Sequence, residues 1–351
     1  MIYGTFKKYI LTFKQASGTS RGVLHTKETF FLILKKENKI GIGECAVFRG
    51  LSMDDVSDYE LKLQYVCNNL HLGKEKLLEK LQQYPSIQFG LEQAFLSLES
   101  SDNMQLFPSD FTEKKAPIEI NGLIWMGTAD FMKKQIAAKL KAGFRTIKMK
   151  IGAIDFKTEL ELLKSIRKEF SEKDITLRVD ANGAFTPENA LEKLKYLSDF
   201  KLHSIEQPIK AKQWQEMAKL CQVTPLPIAL DEELIGIVNL QTKIQVLECV
   251  KPQFIILKPS LIGGISGSNQ WISVAKKQNI DWWITSALES NIGLNAVAQY
   301  TYSLANPLPQ GLGTGSLFTN NIDAPLKVNK GNLVYDNLLK WDLSLFKNSD
   351  I

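Results

Sequence analysis

TIKMKI, residues 146–151, sets Lys148 and Lys150 one residue apart inside an otherwise apolar run. The run reads as a buried β-strand. Lysine is among the residues least often found inside a protein, so the pair needs water or a charged partner. Short runs of the same kind recur on both sides: IEINGLI (118–124), TLRVDA (176–181), HSIEQP (203–208), PIALDE (227–232), FIILKP (254–259), DWWITS (281–286), and a weaker one near Gln310–Gly313. Their ends fall every 25 to 30 residues, the length of one strand–helix unit. Helical stretches such as DFKTELELLKSIRKEF and PENALEKLKYL lie between them, the latter opened by Thr186–Pro187 as N-cap and first-turn pair. Seven or eight such units in succession predict an α/β fold, a (β/α)7β TIM-like barrel. An open doubly wound sheet is the alternative, because periodicity does not reveal closure. No glycine-rich phosphate fingerprint follows the first strand, which counts against a dinucleotide fold.

Residues 1–115 read differently. TKETFFLILKKENKIGIGECAV (26–47) reads as two strands around a turn at Glu37–Lys39, and helical periodicity runs from Ser52 through Leu98. Strands followed by helices make an α+β unit ahead of the barrel of residues 116–305. Residues 306–351 hold the last strand and a segment expected to return to the first domain.

The chain has 351 residues, enough for a barrel with an added domain. With 44% hydrophobic and 23% charged residues it has the composition of a globular protein. A net charge of +5, spread over helix faces such as KKQIAAKLKAG, gives no nucleic-acid footprint. Cys45, Cys67, Cys221 and Cys249 form no CxxC pair and read as reduced thiols. No signal peptide is visible and no run approaches the ~18 apolar residues of a membrane span, so the cytoplasm is the expected location. The oligomeric state is open.

In a barrel, the carboxyl ends of the strands converge on one mouth. Here they carry Lys148 and Lys150, then Asp180 and Asn182, Glu206, Asp231 and Glu232, Lys258, and finally Ser286, Glu289 and Ser290. Singly, an acid at a strand end reads as a helix N-cap and a lysine as a solvated tip. Three carboxylates on successive strands are harder to dismiss. They repel unless a cation holds them or some are protonated. Oxygen ligands without His or Cys suit Mg2+ or Mn2+. A cation beside Lys150 disfavours its ammonium form and makes it a usable general base, while Lys258 approaches from the far side. His203 opens its strand, at the end opposite Glu206, and reads as structural.

The motifs together resemble the enolase superfamily, in its muconate-lactonizing-type subgroup. They are the K-x-K of Lys148 and Lys150, DANG from Asp180, IEQP with Glu206, LDEE with Asp231, LKPS with Lys258, and, in the first domain, GIGECAV and QFGLEQAFLSL (88–98). SGTSRG (17–22), GECAVFRGLS (43–52), ITSALESNIGLNAVAQY (284–300) and GLGTGSLFTNN (311–321) resemble the o-succinylbenzoate synthases of that subgroup. The resemblance implies a lyase that dehydrates a small carboxylate substrate, with Mg2+ on Asp180, Glu206 and Asp231, and a first domain, residues 1–115, that caps the barrel. It makes Lys150 the residue that takes and returns the proton, with Lys148 beside it, and Lys258 a cation over the other face of the ring. Asn182, Ser286, Glu289 and Ser290 at the mouth, and Ser20, Arg21 and Arg49 in the cap loops, are the candidates for gripping the substrate. The nearest rival uses the same residues: racemisation of N-acylamino acids or epimerisation of dipeptides. The D-x-D that dipeptide epimerases carry after the last strand is absent, and GLGTGS stands there. Muconate lactonization, a Schiff-base aldolase and an inactive binding protein complete the alternatives.

Overall fold

The computed structural model describes residues 1–19 and 22–347. Three strands open the chain, β1 (Tyr3–Thr19), β2 (Gly22–Lys36) and β3 (Lys39–Cys45), paired antiparallel in that order. The β2–β3 hairpin turns where the sequence predicts, with Glu37 at a φ of 55°. The region of helical periodicity breaks into the helices Tyr59–Asn68, Lys74–Lys80 and Pro85–Glu99, interrupted at Gly73 (φ 81°) and restarted at Pro85. Their apolar faces close a core on the sheet, with Phe30 and Leu32 against Leu63, Ile87 and Leu91. The last helix lies almost on β3. A Cβ at Gly43 would stand 1.9 Å from the Gly90 carbonyl oxygen, and one at Gly90 would stand 2.2 Å from Cys45 Sγ.

IEINGLI is two elements, not one. β4 (Ile118–Glu119) joins a small sheet, while β5 (Gly122–Ile124) begins a parallel one. The parallel sheet continues through β6 (Thr146–Lys150), β7 (Thr176–Asp180), β8 (Ser204–Glu206), β9 (Ile228–Leu230), β10 (Phe254–Leu257) and β11 (Asp281–Ile284), each beside its predecessor. Helices connect them. Their starts follow the sequence: the Asp155 carboxylate accepts from Thr158 N, and Thr186 with Asn189 makes a capping box ahead of Pro187. Successive strand residues face opposite sides. Ile147, Met149, Leu177 and Val179 therefore bury among the helices with Leu163 and Leu194, while Lys148, Lys150 and Asp180 face the inside of the curl.

The sheet is a curled seven-stranded parallel array. Its two edges approach each other across Gln310 and Gly311. Gln310 N donates to Glu119 O at 2.9 Å and Gly311 N to Ile284 O at 2.8 Å. Beyond, β12 (Leu326–Asn329) and β13 (Asn332–Tyr335) form a hairpin that pairs with β4. Phe346 then packs edge-on against Phe31 of β2, at 5.1 Å between ring centres. Among the described residues no helix is long and apolar enough to cross a membrane.

Candidate active site

Register brings the strand ends level. Lys150 pairs with Asp180, and Asp180 with Glu206. Asp231 follows β9 directly and Lys258 follows β10. Asp180, Glu206 and Asp231, exposed by 1%, 0% and 2%, offer oxygen atoms that all lie within 4.8 Å of one another. Lysines ring them. Lys148 Nζ lies 3.0 Å from Asp180 Oδ2 and also donates to Glu206 Oε2. Lys150 Nζ donates to Asp180 Oδ2 at 3.1 Å and to Asn182 Oδ1 at 2.6 Å. Lys258 Nζ, from the other side, donates to Asp231 Oδ2.

Burial works to raise the Asp180 carboxyl, but Lys148, Lys150 and Lys258 outweigh it and hold the group far below the usual carboxylate range. For Glu206, burial wins over Lys148, with Asp180 and Asp231 adding repulsion, and the carboxyl is pushed up to about 7. Burial acts against the Lys148 ammonium too, but Asp180, Glu206 and Asp231 raise it well above its ordinary value. Lys258 is likewise raised, burial being overcome by Asp231 and Glu232.

Glu206 Oε1 is fully buried without a hydrogen-bond partner. A converging set of carboxylates with an orphaned oxygen, and no sulfur or imidazole, fits a hard divalent cation.

The lining of the cavity over this floor has a charged, a polar and an apolar part. Lys148, Lys150, Asp180, Asn182, Glu232 and Lys258 line the first. Asn121, Thr285, Ser286 and Thr314 line the second. Phe48 and Leu51 from the first domain join Leu123, Trp125, Leu288 and Leu317 in the third. The segment that follows β3 thus contributes part of the roof.

The other candidates separate. Asn182 stands in the wall, taking Lys150 on Oδ1 and donating through Nδ2 to Glu232 Oε1 at 2.9 Å. Ser286 also lines the cavity, donating to Glu289 Oε2 at 2.5 Å and accepting from Thr314 Oγ1 at 2.8 Å. Glu289 and Ser290 lie behind that wall. Glu289 accepts from Ser260 Oγ and Ala287 N. Ser290 donates to Glu44 through both N and Oγ. The backbone at Leu288, φ 67°, turns the chain away from the cavity before them. Arg49 is held by Glu28 and Asp55 and does not line the cavity. Ser20 and Arg21 lie outside the described residues. His203 stacks on Phe254 at 4.9 Å, and burial with help from Arg178 pushes it down to about 4. Sequence reasoning left Glu232, Trp125, Asn121 and Thr314 without a role. A second acid after Asp231 and a tryptophan at the end of β5 were the available signals for the first two.

Comparison with known proteins gives this geometry a lineage. Residues 132–336 match the family described as Enolase C-terminal domain-like, and residues 5–98 the one described as MenC, N-terminal domain. The o-succinylbenzoate synthase of Desulfotalea psychrophila is 44% identical over 93% of this chain and 97% of its own length. This chain belongs to the o-succinylbenzoate synthase family of the enolase superfamily. The crystal structure of MenC from Desulfotalea psychrophila superposes with a TM-score of 0.85 at 41% identity, covering 95% of this chain and 99% of that one. A muconate lactonizing enzyme from Pseudomonas fluorescens shares the fold, with a TM-score of 0.81 at 20% identity over 98% of this chain and 97% of that one. The L-Ala-D/L-Glu epimerase of Bacillus subtilis, 28% identical, aligns with only 48% of this chain and 45% of its own length.

Proposed function

We propose that the protein is an o-succinylbenzoate synthase of menaquinone biosynthesis, acting in the cytoplasm. It is a carbon–oxygen lyase that removes water from 2-succinyl-6-hydroxy-2,4-cyclohexadiene-1-carboxylate in a syn elimination. The observation that carries this reading is one cavity with amines on opposing flanks of a carboxylate triad, in a chain 44% identical to a named synthase. Its frame is a (β/α)7β barrel, residues 116–305, closed by a last strand at Gln310–Gly311 in the following segment. Residues 1–115 form the cap, and residues 306–351 return to it.

Asp180, Glu206 and Asp231 hold Mg2+, or Mn2+. Bound there, the ion supplies Lewis-acid stabilisation of negative charge building on the substrate carboxylate. Lys150 removes the proton α to that carboxylate and returns it to the departing hydroxyl on the same face. A single base serves both halves because the two groups leave from one side of the ring. Asn182 fixes the Lys150 amine, and Glu232 fixes Asn182. Lys258 places a fixed cation over the opposite face, where charge develops on the ring. Lys148, between Asp180 and Glu206 and beside Lys150, contributes charge and not proton transfer. The apolar roof excludes water once substrate is seated. Ser286, with Thr314 and Asn121, faces the side chain of the substrate, while Glu289 and Ser290 support Ser286 from behind.

The test supplies protein and Mg2+ with the cyclohexadiene acid and, separately, with N-succinylamino acids in D2O. Growth of aromatic absorbance in the first is the expected outcome. α-Hydrogen exchange in the second, without aromatic product in the first, would replace this function with the racemase.

A further inference from the structure

Gln207 follows Glu206 and has no polar work in the chemistry, yet it is 1% exposed and held at a φ of 39°, which only a few non-glycine residues adopt. All four of its hydrogen-bonding groups are engaged. Its Oε1 accepts from Asp231 N at 3.1 Å and from Glu233 N at 3.2 Å. Its Nε2 donates to Ile209 O at 3.0 Å and to Glu233 Oε2 at 3.3 Å. Its backbone N donates to Ala229 O at 2.9 Å, and its carbonyl accepts from Gly183 N at 2.7 Å. One residue therefore touches the chain just after Asp180, just after Glu206 and at Asp231.

We propose that Gln207 is the positioning residue that sets the spacing of the three carboxylates, and through it the affinity for the divalent cation. This rests on the metal-binding reading given above. Shells of this kind orient ligands without touching the ion, and their loss costs about 10–100-fold in metal affinity. The amide is required, and a carboxylate does not replace it. Glu233 keeps Oε1 on Lys212 N at 2.7 Å and Trp214 Nε1 at 2.9 Å, and turns Oε2 toward Gln207. A second carboxylate at position 207 would accept from Asp231 N and Glu233 N as before, but would face Glu233 Oε2 and Ile209 O with no proton to give. Exchanging the two groups restores the contact between 207 and 233, though not the one to Ile209 O: an amide at 233 still accepts from Lys212 and Trp214 with its oxygen, and donates back to a carboxylate at 207.

Calorimetric titration of Mg2+ into metal-free protein tests this, alongside the melting midpoint of each metal-free protein. Gln207→Glu is expected to raise the Kd about tenfold or more. The double variant Gln207→Glu with Glu233→Gln should bind Mg2+ more tightly than Gln207→Glu alone, recovering part of the loss; no recovery would overturn the proposal. Should Gln207→Glu fail to fold, Gln207→Met, of similar length without polar atoms, carries the same comparison. A lowered melting midpoint with unchanged Kd would make Gln207 a structural residue only and overturn the proposal. A wild-type protein that takes up no Mg2+ would overturn both this proposal and the metal reading; one that binds Mg2+ no better than Gln207→Glu would overturn this proposal alone.

Discussion

Asn182 sits between two charges of opposite sign, and its amide answers each with the matching atom. Its oxygen takes the Lys150 ammonium and its nitrogen gives to Glu232. Asn182→Asp keeps the first contact and turns the second into a repulsion, so Lys150 is drawn off its line while Glu206 and Asp231 stay in place. We expect kcat to fall about tenfold or more with a smaller change in KM, read by steady-state kinetics. Lys150→Ala and Lys258→Ala should each cost about 10²–10⁴-fold in turnover without unfolding the chain, as removal of a proton-transfer or charge-stabilising group does. Near-normal turnover in either variant would unseat its assigned role. His203 makes a different residue-scale prediction. Its folded value of about 4 lies below the ordinary 6.5, so the folded state holds fewer protons than the unfolded chain between those limits. The stability it contributes is whole above pH 6.5 and is lost as the pH falls toward 4, by about 2 kcal/mol after allowance for its partial exposure. His203→Gln should lose less than the wild type between pH 7 and pH 4.5 in urea melts, by most of that amount. At this scale the sequence is most legible where a charge interrupts an apolar run. Lys148, Lys150, Asp180, Glu206, Asp231 and Lys258 all stand out in that way. Glu232 does not, because it follows another acid, and alternation alone assigns only one of the two to the cavity. Glu289 and Ser290 come after a strand end as the site residues do, but the positive φ at Leu288 lies between and carries no sequence mark.

Elements were legible in proportion to how purely they alternate. The parallel strands, buried on both faces, announce themselves as short apolar runs. β1 does not: it pairs with β2 and, through Phe13, bridges Phe318 far along the chain, and Lys7–Lys8 breaks its alternation. IEINGLI reads as one strand because hydrophobicity is blind to a change of partner between Glu119 and Gly122. The contact of β3 with the Pro85–Glu99 helix shows what the glycines of GIGECAV and QFGLEQA are for. Gly43 meets Gly90, and Gly90 meets Cys45, at distances that leave no room for a methyl group. Gly90→Ala must push the helix off β3, against a helix propensity gain of about 1 kcal/mol. Overpacking of this kind costs about 1–3 kcal/mol, and the measured denaturation midpoint should fall. An unchanged midpoint would mean that the helix seat is looser than the distances require.

Across the whole molecule, the neighbours of those glycines fasten the first domain to the barrel. Glu44, from β3, places its carboxylate at the start of the helix Asn291–Ser303, taking Ser290 N at 2.9 Å, Ser290 Oγ at 2.5 Å and Gly293 N at 2.8 Å. Glu92, from the Pro85–Glu99 helix, does the same for the helix Gly264–Lys277, taking Ile265 N at 2.6 Å and Ser266 N at 2.9 Å. Gln93 locks the two together by bonding both the N and the O of Glu44. Helix N-termini attract carboxylates through their unpaired N–H groups and the helix dipole. These clamps seat just after β10 and β11, beyond Lys258 and Ser286, so the roof residues Phe48 and Leu51 are held in register with the floor. The loop of Phe48–Ser52 was expected over the mouth, but these clamps were not legible beforehand, since each motif finds its partner some 170 to 250 residues along the chain. Burial raises both carboxyls above their ordinary values, while these donors, with the charge of Lys27 near Glu44 and of Lys74 near Glu92, act the other way. In Glu44→Gln or Glu92→Gln one backbone N–H faces another N–H, a loss of about 1–3 kcal/mol. The loss should appear as hydrogen exchange about tenfold faster or more at amides 265–266 and 290–293, with residues 48–52 loosened in step, because local opening exposes a clamp only when the first domain lifts. Turnover should fall along with the loosening of the roof. Faster exchange at the helix starts with no change at 48–52 would separate the clamps from the roof and leave its position to apolar packing.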